Sequence, residues 1–219
     1  GLKLYAGRTT GNLAVIEETA QQSVYAILSE AGYRGVLAVH CEKESLCTRA
    51  FDPTKPASHN QSRPPTAEAA SVSDQIKFAR AAGFKGTLHI CHVSTAAALE
   101  LIRPARRDIA ITCGVTPHHL LWSCAQMRGS EGNLYKVNPP LREWSDTIAL
   151  RQALKQGEID WIESDHAPHP VSEKLYPPYL SGYPSLCLYR SLIEEILPYW
   201  GVNQETIKAV TCDNIRRVF

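Results

Sequence analysis

Five short apolar runs alternate along this chain with amphipathic stretches. The runs are Leu2–Tyr5, Val36–His40, Thr87–His92, Ile109–Val115 and Trp161–Ser164. Each is nearly continuous in apolar residues, the pattern of parallel strands covered on both faces. Helical periodicity fills the intervals. One helix is predicted from Thr19 through Val24, Ile27 and Leu28. A second starts from the N-cap Thr66, with Glu68 in its first turn and Val72, Ile76 and Ala79 on one face. A third begins near Thr95 with Leu99 and Ile102, and a fourth follows the N-cap Ser145 with Ile148, Ala149 and Ala153. Two more cover Leu186–Leu197 and Gln204–Val210.

Repeated βα units imply an α/β protein with a parallel sheet, either a closed (β/α)8 barrel or an open doubly wound sheet. No dinucleotide-binding glycine fingerprint is present. Gly7-Arg8-Thr9-Thr10-Gly11 lacks the Lys-Ser/Thr ending of a phosphate-binding loop, so it reads as an ordinary βα loop. Polar residues close several different runs, which favours the barrel, where active sites collect at the C-terminal ends of the strands. The fold predicted is a partial (β/α)8 TIM-type barrel showing strands four to eight, as one incomplete domain over residues 1–219. Three further strands are expected before Gly1. Asp52–Pro65, about 14 residues rich in Pro, Ser and Asn, exceeds the usual βα loop and reads as functional or mobile.

Composition narrows the function. A net charge of +1 gives no sign of a nucleic-acid or acidic-membrane partner. No apolar run reaches the length of a membrane span, and no signal peptide is visible. Seven cysteines without a Cys-x-x-Cys pair point to reduced thiols and a cytoplasmic location. Cys41, Cys91 and Cys113 sit inside apolar runs and are expected to pack as small hydrophobes.

The chemistry concentrates where runs end. Trp161-Ile162-Glu163-Ser164-Asp165-His166-Ala167-Pro168-His169 takes an apolar strand into a carboxylate and two imidazoles. His40 and His92 end two other strands. Imidazole and carboxylate at one end of a sheet form the borderline donor set that Zn²⁺ prefers. Strand alternation puts Leu88, Ile90 and His92 on the lumen face, and His89 with Cys91 on the other, where His89 reads as a structural residue under a helix. Lys3, within Gly1-Leu2-Lys3-Leu4-Tyr5, is costly to bury as a cation. It is either a frayed edge position or a neutral amine that takes up CO₂ to become an anionic carbamate ligand.

Taken in order, several segments resemble the dihydroorotases of the amidohydrolase superfamily. They are Lys3 with Thr10-Gly11-Asn12, Val39-His40-Cys41-Glu42, His89-Ile90-Cys91-His92-Val93-Ser94-Thr95, and Thr116-Pro117-His118-His119-Leu120. Asn138-Pro139-Pro140-Leu141-Arg142 and Ser164-Asp165-His166-Ala167-Pro168-His169 followed by Lys174 continue the series. The resemblance implies a Zn²⁺ centre of one or two ions. Lys3 would be the carboxylated bridging ligand, and His40 and His92 would hold the more exposed metal. Asp165 would bind the buried metal and take the proton of the attacking water. Asn138 and His169 would grip the ring amide and carboxylate of dihydroorotate, which opens reversibly to N-carbamoyl-aspartate in pyrimidine biosynthesis.

Two features depart from the family. Glu163 stands where a small residue is usual, a change that leaves the ligand positions intact. The His-x-His-x-Arg of a first strand and the flanking β segment do not occur, so this stretch alone is expected to be inactive. Other motifs have structural readings. His118 and His119 order a βα turn, and Trp122 and Trp144 pack. Arg63 binds carbonyls, and Glu42 orients His40. The competing functions are a dihydropyrimidinase- or allantoinase-type cyclic amidase and a non-catalytic scaffold. The former usually lacks counterparts of His169 and Asn138, and the latter would lose ligands. The substrate is expected to be a small molecule and the assembly a homo-oligomer.

Overall fold

A computed structural model describes residues 1–48 and 50–219. Strands β1 (Leu2–Ala6), β2 (Val36–Cys41), β3 (Thr87–Ile90), β4 (Ile111–Val115) and β5 (Trp161–Ile162) form one sheet in the order β1-β2-β3-β4-β5. All four pairings are parallel, and the register places Lys3 beside Ala38, Ala38 beside His89 and His89 beside Thr112. Helices α1 (Glu18–Glu30), α2 (Ser58–Ser62), α3 (Pro65–Ala81), α4 (Ala96–Ala105), α5 (Pro117–Leu121) and α6 (Trp144–Lys155) connect the strands. Beyond β5 come α7 (Val171–Leu175) and α8 (Leu186–Ser191). The α8 helix runs through a π-helical turn, Leu192–Ile196, into α9 (Leu197–Tyr199). A second helix, α10 (Gln204–Lys208), passes through another such turn into α11 (Asn214–Val218). These successive parallel βα units form the arc of a (β/α)8-type barrel.

The sequence pattern locates the elements and misplaces several boundaries. Thr95 is the N-cap of α4, its hydroxyl accepting from the Ala98 amide. Thr66 is not a cap: α3 starts at Pro65, whose fixed φ suits a first helical turn. Ser145 likewise lies inside α6, which starts at Trp144. Ile27 and Ile148 face solvent, while Gln21 and Tyr25 of α1 and Leu150 and Leu154 of α6 turn inward.

Leu4, Ala6, Leu37, Val39, Cys41, Leu88, Ile90, Ile111, Cys113, Val115 and Ile162 all belong to one buried cluster with the helices, including Val72 and Ile76 of α3 and Leu99 and Ile102 of α4. Strand alternation then assigns Lys3, Tyr5, His40, His89, Cys91 and Glu163 to the opposite, lumen face. This reverses the expectation for β3. Leu88 and Ile90 pack under helices, and His89 and Cys91 face the lumen. Cys41 and Cys113 do pack as small hydrophobes, but Cys91 does not. Lys3 lies on β1 with an exposed side chain whose Nζ reaches Cys91.

One ionic cluster ties the upper loops together. Glu68 of α3, 1% exposed, accepts from the Ser94 and Thr95 amides and the Thr95 and Ser94 hydroxyls. Arg142, also 1% exposed, reaches Glu68 at 3.5 Å and donates to Ser94 Oγ, Asn60 Oδ1 and Arg63 O. The pair thus joins α3, the β3–α4 loop, the 52–65 segment and the loop before α6. Removing one partner strands the other as a buried charge, at a cost of about 3–5 kcal/mol. Arg142→Met is therefore expected to lower Tm by roughly 6–20 °C. The double variant with Glu68→Gln should recover part of the loss. Additive losses in calorimetry would show that the two side chains act separately.

Candidate metal and substrate site

At the C-terminal end of the sheet a cavity of about 340 Å³ is lined by Lys3, Tyr5, His40, His92, Asn138, Asp165 and His169, together with Thr9, Thr10, Ala167, Pro168, Ser181 and Gly182. All six residues singled out from the sequence therefore share one wall system. His40 arrives by strand alternation from β2. His92 and Asp165 arrive differently. Both follow strands that stop early, at Ile90 and Ile162, and both have left-handed backbones, with φ of 39° and 42°. That conformation costs about 1–3 kcal/mol for such residues and clusters at functional sites. It swings the His92 ring to the lumen side, a position that alternation along an unbroken strand would have denied it.

His40 Nδ1 lies 3.1 Å from His92 Nε2, with the rings edge-on. Two ligands of a tetrahedral Zn²⁺ at about 2.05 Å stand roughly 3.3 Å apart, so the pair fits one metal with little adjustment. The far nitrogen of His40 is 3.0 Å from Glu42 Oε2, the orienting contact expected from the sequence. Glu42 is fully buried. Desolvation works to raise its carboxyl pKa, but Arg63 and His40 outweigh it and hold the group far below the usual carboxylate range. Arg63 donates to Glu42 as well as to the Arg8 carbonyl, so its main partner is a carboxylate rather than carbonyls. Asp165 faces the same cavity but does not close to within 4.8 Å of both histidines. Desolvation and the nearby Glu163 raise its carboxyl. His92 is pushed well below its ordinary range by desolvation, with His40 and Lys3 adding to the effect, and its Nδ1 is buried without a hydrogen-bond partner.

Lys3 Nζ donates to Cys91 Sγ at 2.9 Å. Desolvation lowers its pKa, but Cys91 and Glu163 override this and leave it raised. On the substrate side, Asn138 donates to Thr9 Oγ1 at 3.3 Å, and its Oδ1 lies 3.0 Å from His59 Nε2. His169 Nδ1 lies 3.3 Å from Glu173. A Cβ on Gly182, whose φ is 153°, would come within 2.8 Å of the His169 ring, so only glycine lets the backbone approach it this closely. His118 and His119 are structural here, held by Ser185 Oγ and by Thr116 Oγ1 and Pro139 O. Trp122 packs on Tyr135 and Tyr183, whereas Trp144 is 47% exposed and lies over Arg151. Lys174 is buried and donates to the carbonyls of Lys136 and Gly182.

Sequence reasoning missed His59, Tyr5 and Thr9. Tyr5 was readable two residues beyond Lys3 on the same strand face. His59 lies in α2, a five-residue helix too short for a periodicity to point it inward.

The fold is an arc of a (β/α)8-type barrel, with histidine, lysine and aspartate converging at its strand ends. In sequence the chain is similar to dihydroorotases: it is 42% identical over 143 residues to the dihydroorotase of Mycobacterium bovis, covering 64% of this chain and 33% of that protein. The chain thus spans about a third of the length of the curated relatives it matches. No family model matches it. In structure it is similar to a D-hydantoinase (dihydropyrimidinase) from Thermus sp., with TM-score 0.86 and 22% identity over 99% of this chain and 49% of that one. It is also similar to the Saccharomyces cerevisiae dihydroorotase solved with 5-fluoroorotic acid, with TM-score 0.78 and 20% identity over 98% and 58%. These likenesses establish the barrel fold.

Burial holds two further histidines neutral. Desolvation lowers His59 to about 3 and His119 to about 4. The unfolded chain therefore takes up protons first as the pH drops through about 6.5. The stability these residues contribute is complete above that pH and is lost towards pH 4, by up to about 1.4 kcal/mol per pH unit for each. Tm is expected to fall steadily between pH 7 and pH 5. A flat profile would mean that these rings are solvated.

Proposed function

We propose that this chain carries part of the metal- and substrate-binding barrel of a dihydroorotase, which interconverts dihydroorotate and N-carbamoyl-aspartate in pyrimidine biosynthesis. The observation that carries this reading is the single cavity walled by Lys3, His40, His92, Asp165, Asn138 and His169. Its volume suits a small cyclic substrate. His40 and His92 would hold a Zn²⁺ ion, with carboxylated Lys3 and Asp165 completing a centre of one or two ions. When bound, the metal polarises the ring carbonyl and lowers the pKa of water. Asp165 accepts the proton of the attacking water and returns it to the departing ring nitrogen. His169 and Asn138 fix the substrate carboxylate and ring amide, so the scissile carbonyl faces Asp165.

A dihydropyrimidinase- or allantoinase-type amidase would use the same metal ligands without needing a carboxylate clamp. His169 and Asn138 favour the carboxylate-bearing ring, and retention of His40, His92 and Asp165 argues against a scaffold that has lost its chemistry. Among the described residues, no helix is long and apolar enough to cross a membrane. All seven cysteines are free thiols, which supports a reducing, cytoplasmic setting. The assembly proposed with this reading is a homo-oligomer.

Excess Zn²⁺ is expected to raise Tm, by about 2.7 kcal/mol of stability at a hundred times Kd. His40→Ala should abolish the rise from this centre, and His169→Ala should leave it unchanged. Equal responses would remove His40 from the ligand set. Calorimetric titration of the Zn²⁺-loaded chain should give tighter binding of dihydroorotate than of dihydrouracil, which lacks the carboxylate. His169→Ala should erase most of that preference, weakening dihydroorotate about ten- to a hundredfold at unchanged metal content. Indifference to the carboxylate would favour the dihydropyrimidinase reading. Loss of metal with His169→Ala would make His169 a ligand.

A further inference from the structure

The lumen face holds a second cluster that the proposed reaction does not use. His89, Cys91 and Glu163 each offer a ligand atom, and these atoms all lie within 4.8 Å of one another. His89 Nε2 is 3.4 Å from Glu163 Oε2, close to the roughly 3.3 Å edge between nitrogen and oxygen ligands of a tetrahedral zinc ion. We propose that His89, Cys91 and Glu163 form a separate, thiolate-containing site for a borderline divalent cation such as Zn²⁺ or Co²⁺.

Each ligand is already oriented. The His89 ring stacks on Trp161 with centroids 4.1 Å apart and 20° between planes. Its Nδ1 sits 3.0 Å from Thr112 Oγ1, so Nε2 is the nitrogen turned to Glu163. Contacts of this kind fix the tautomer and direction of a metal-binding histidine. Glu163 Oε1 accepts from the His92 backbone amide, which leaves Oε2 for a cation. Gly114 makes room for the carboxylate, since a Cβ there would stand 2.6 Å from Glu163 Cδ. Cys91 Sγ accepts from Lys3 Nζ, whose exposed stem can swing aside. Binding forms a sulfur–metal bond and releases the thiol proton to solvent. The ion then faces one thiolate, one imidazole and one carboxylate, a set that selects Zn²⁺ or Co²⁺ over Mg²⁺ or Ca²⁺. No ligand is shared with the His40–His92 pair, so His40→Ala separates this site from the proposed reaction, although Lys3, which that reaction uses, must first release Cys91.

The two centres differ in sulfur, and Co²⁺ reports it. Co²⁺ added to the metal-free chain is expected to give a near-ultraviolet thiolate-to-cobalt charge-transfer band, which nitrogen and oxygen ligands do not produce. Cys91→Ser, nearly isosteric, should abolish the band. His40→Ala and Cys187→Ser should keep it. Glu163→Ala and Gly114→Ala, which remove or displace the carboxylate, should weaken the titration about tenfold or more. Far-ultraviolet circular dichroism checks that each variant folds, and the Glu163 and Gly114 variants decide the matter if Cys91→Ser does not. A wild-type chain without the band overturns the proposal, as does a band that survives Cys91→Ser or is indifferent to both carboxylate variants.

Discussion

The buried pair of Glu68 and Arg142 is the contact on which the upper part of this molecule depends. The loop that carries His92 from β3 into α4 is tied to it through Ser94 and Thr95. Arg142 also reaches Asn60 and the Arg63 carbonyl, and Arg63 in turn holds Glu42 behind His40. Orientation therefore passes from one desolvated ion pair to the imidazole that faces His92. Such a pair is poor at adding stability, because both ions give up water. Its strength is geometric, as few other arrangements satisfy so many buried donors at once.

The arc of parallel βα units was legible because each strand is a nearly unbroken apolar run, and only a sheet covered by helices tolerates that. The cavity was legible because its polar residues end those runs. The face of β3 was not. Alternation is reliable inside a ladder, but β3 stops at Ile90, and the left-handed His92 lies outside the pattern. His92 was assigned to the cavity correctly for a reason that the backbone does not obey. His89 and Cys91 were sent to the wrong side by the same step.

Glu163 was visible as a departure from the resemblance and was discounted because it leaves the ligand positions intact. Its carboxylate instead fills the space beside Gly114 and meets His89 and the His92 amide. Helix starts failed for another reason. Thr66 and Ser145 are good capping residues, yet Pro65 and Trp144 already lie within the helices, and neither helix has a side-chain cap hydrogen bond. His59 had no signal at all, because a helix of five residues carries no period from which an inward direction can be read.

The histidines and Asp165 hang from very different supports. His40 ends a six-residue strand, β2, whereas Asp165 follows a two-residue strand, β5. What β5 lacks in ladder it gains from helices: Tyr189 donates to the Ile162 carbonyl at 3.0 Å and Asn214 to the Asp160 carbonyl at 2.7 Å. Those donors sit on the segments that contain the π-helical turns, where the hydrogen-bond ladder is already irregular. The cavity thus has one stiff wall and one compliant wall. Amide exchange would open the carboxylate side long before the imidazole side, and a guest molecule would be met by a fixed pair of rings and an acid free to adjust.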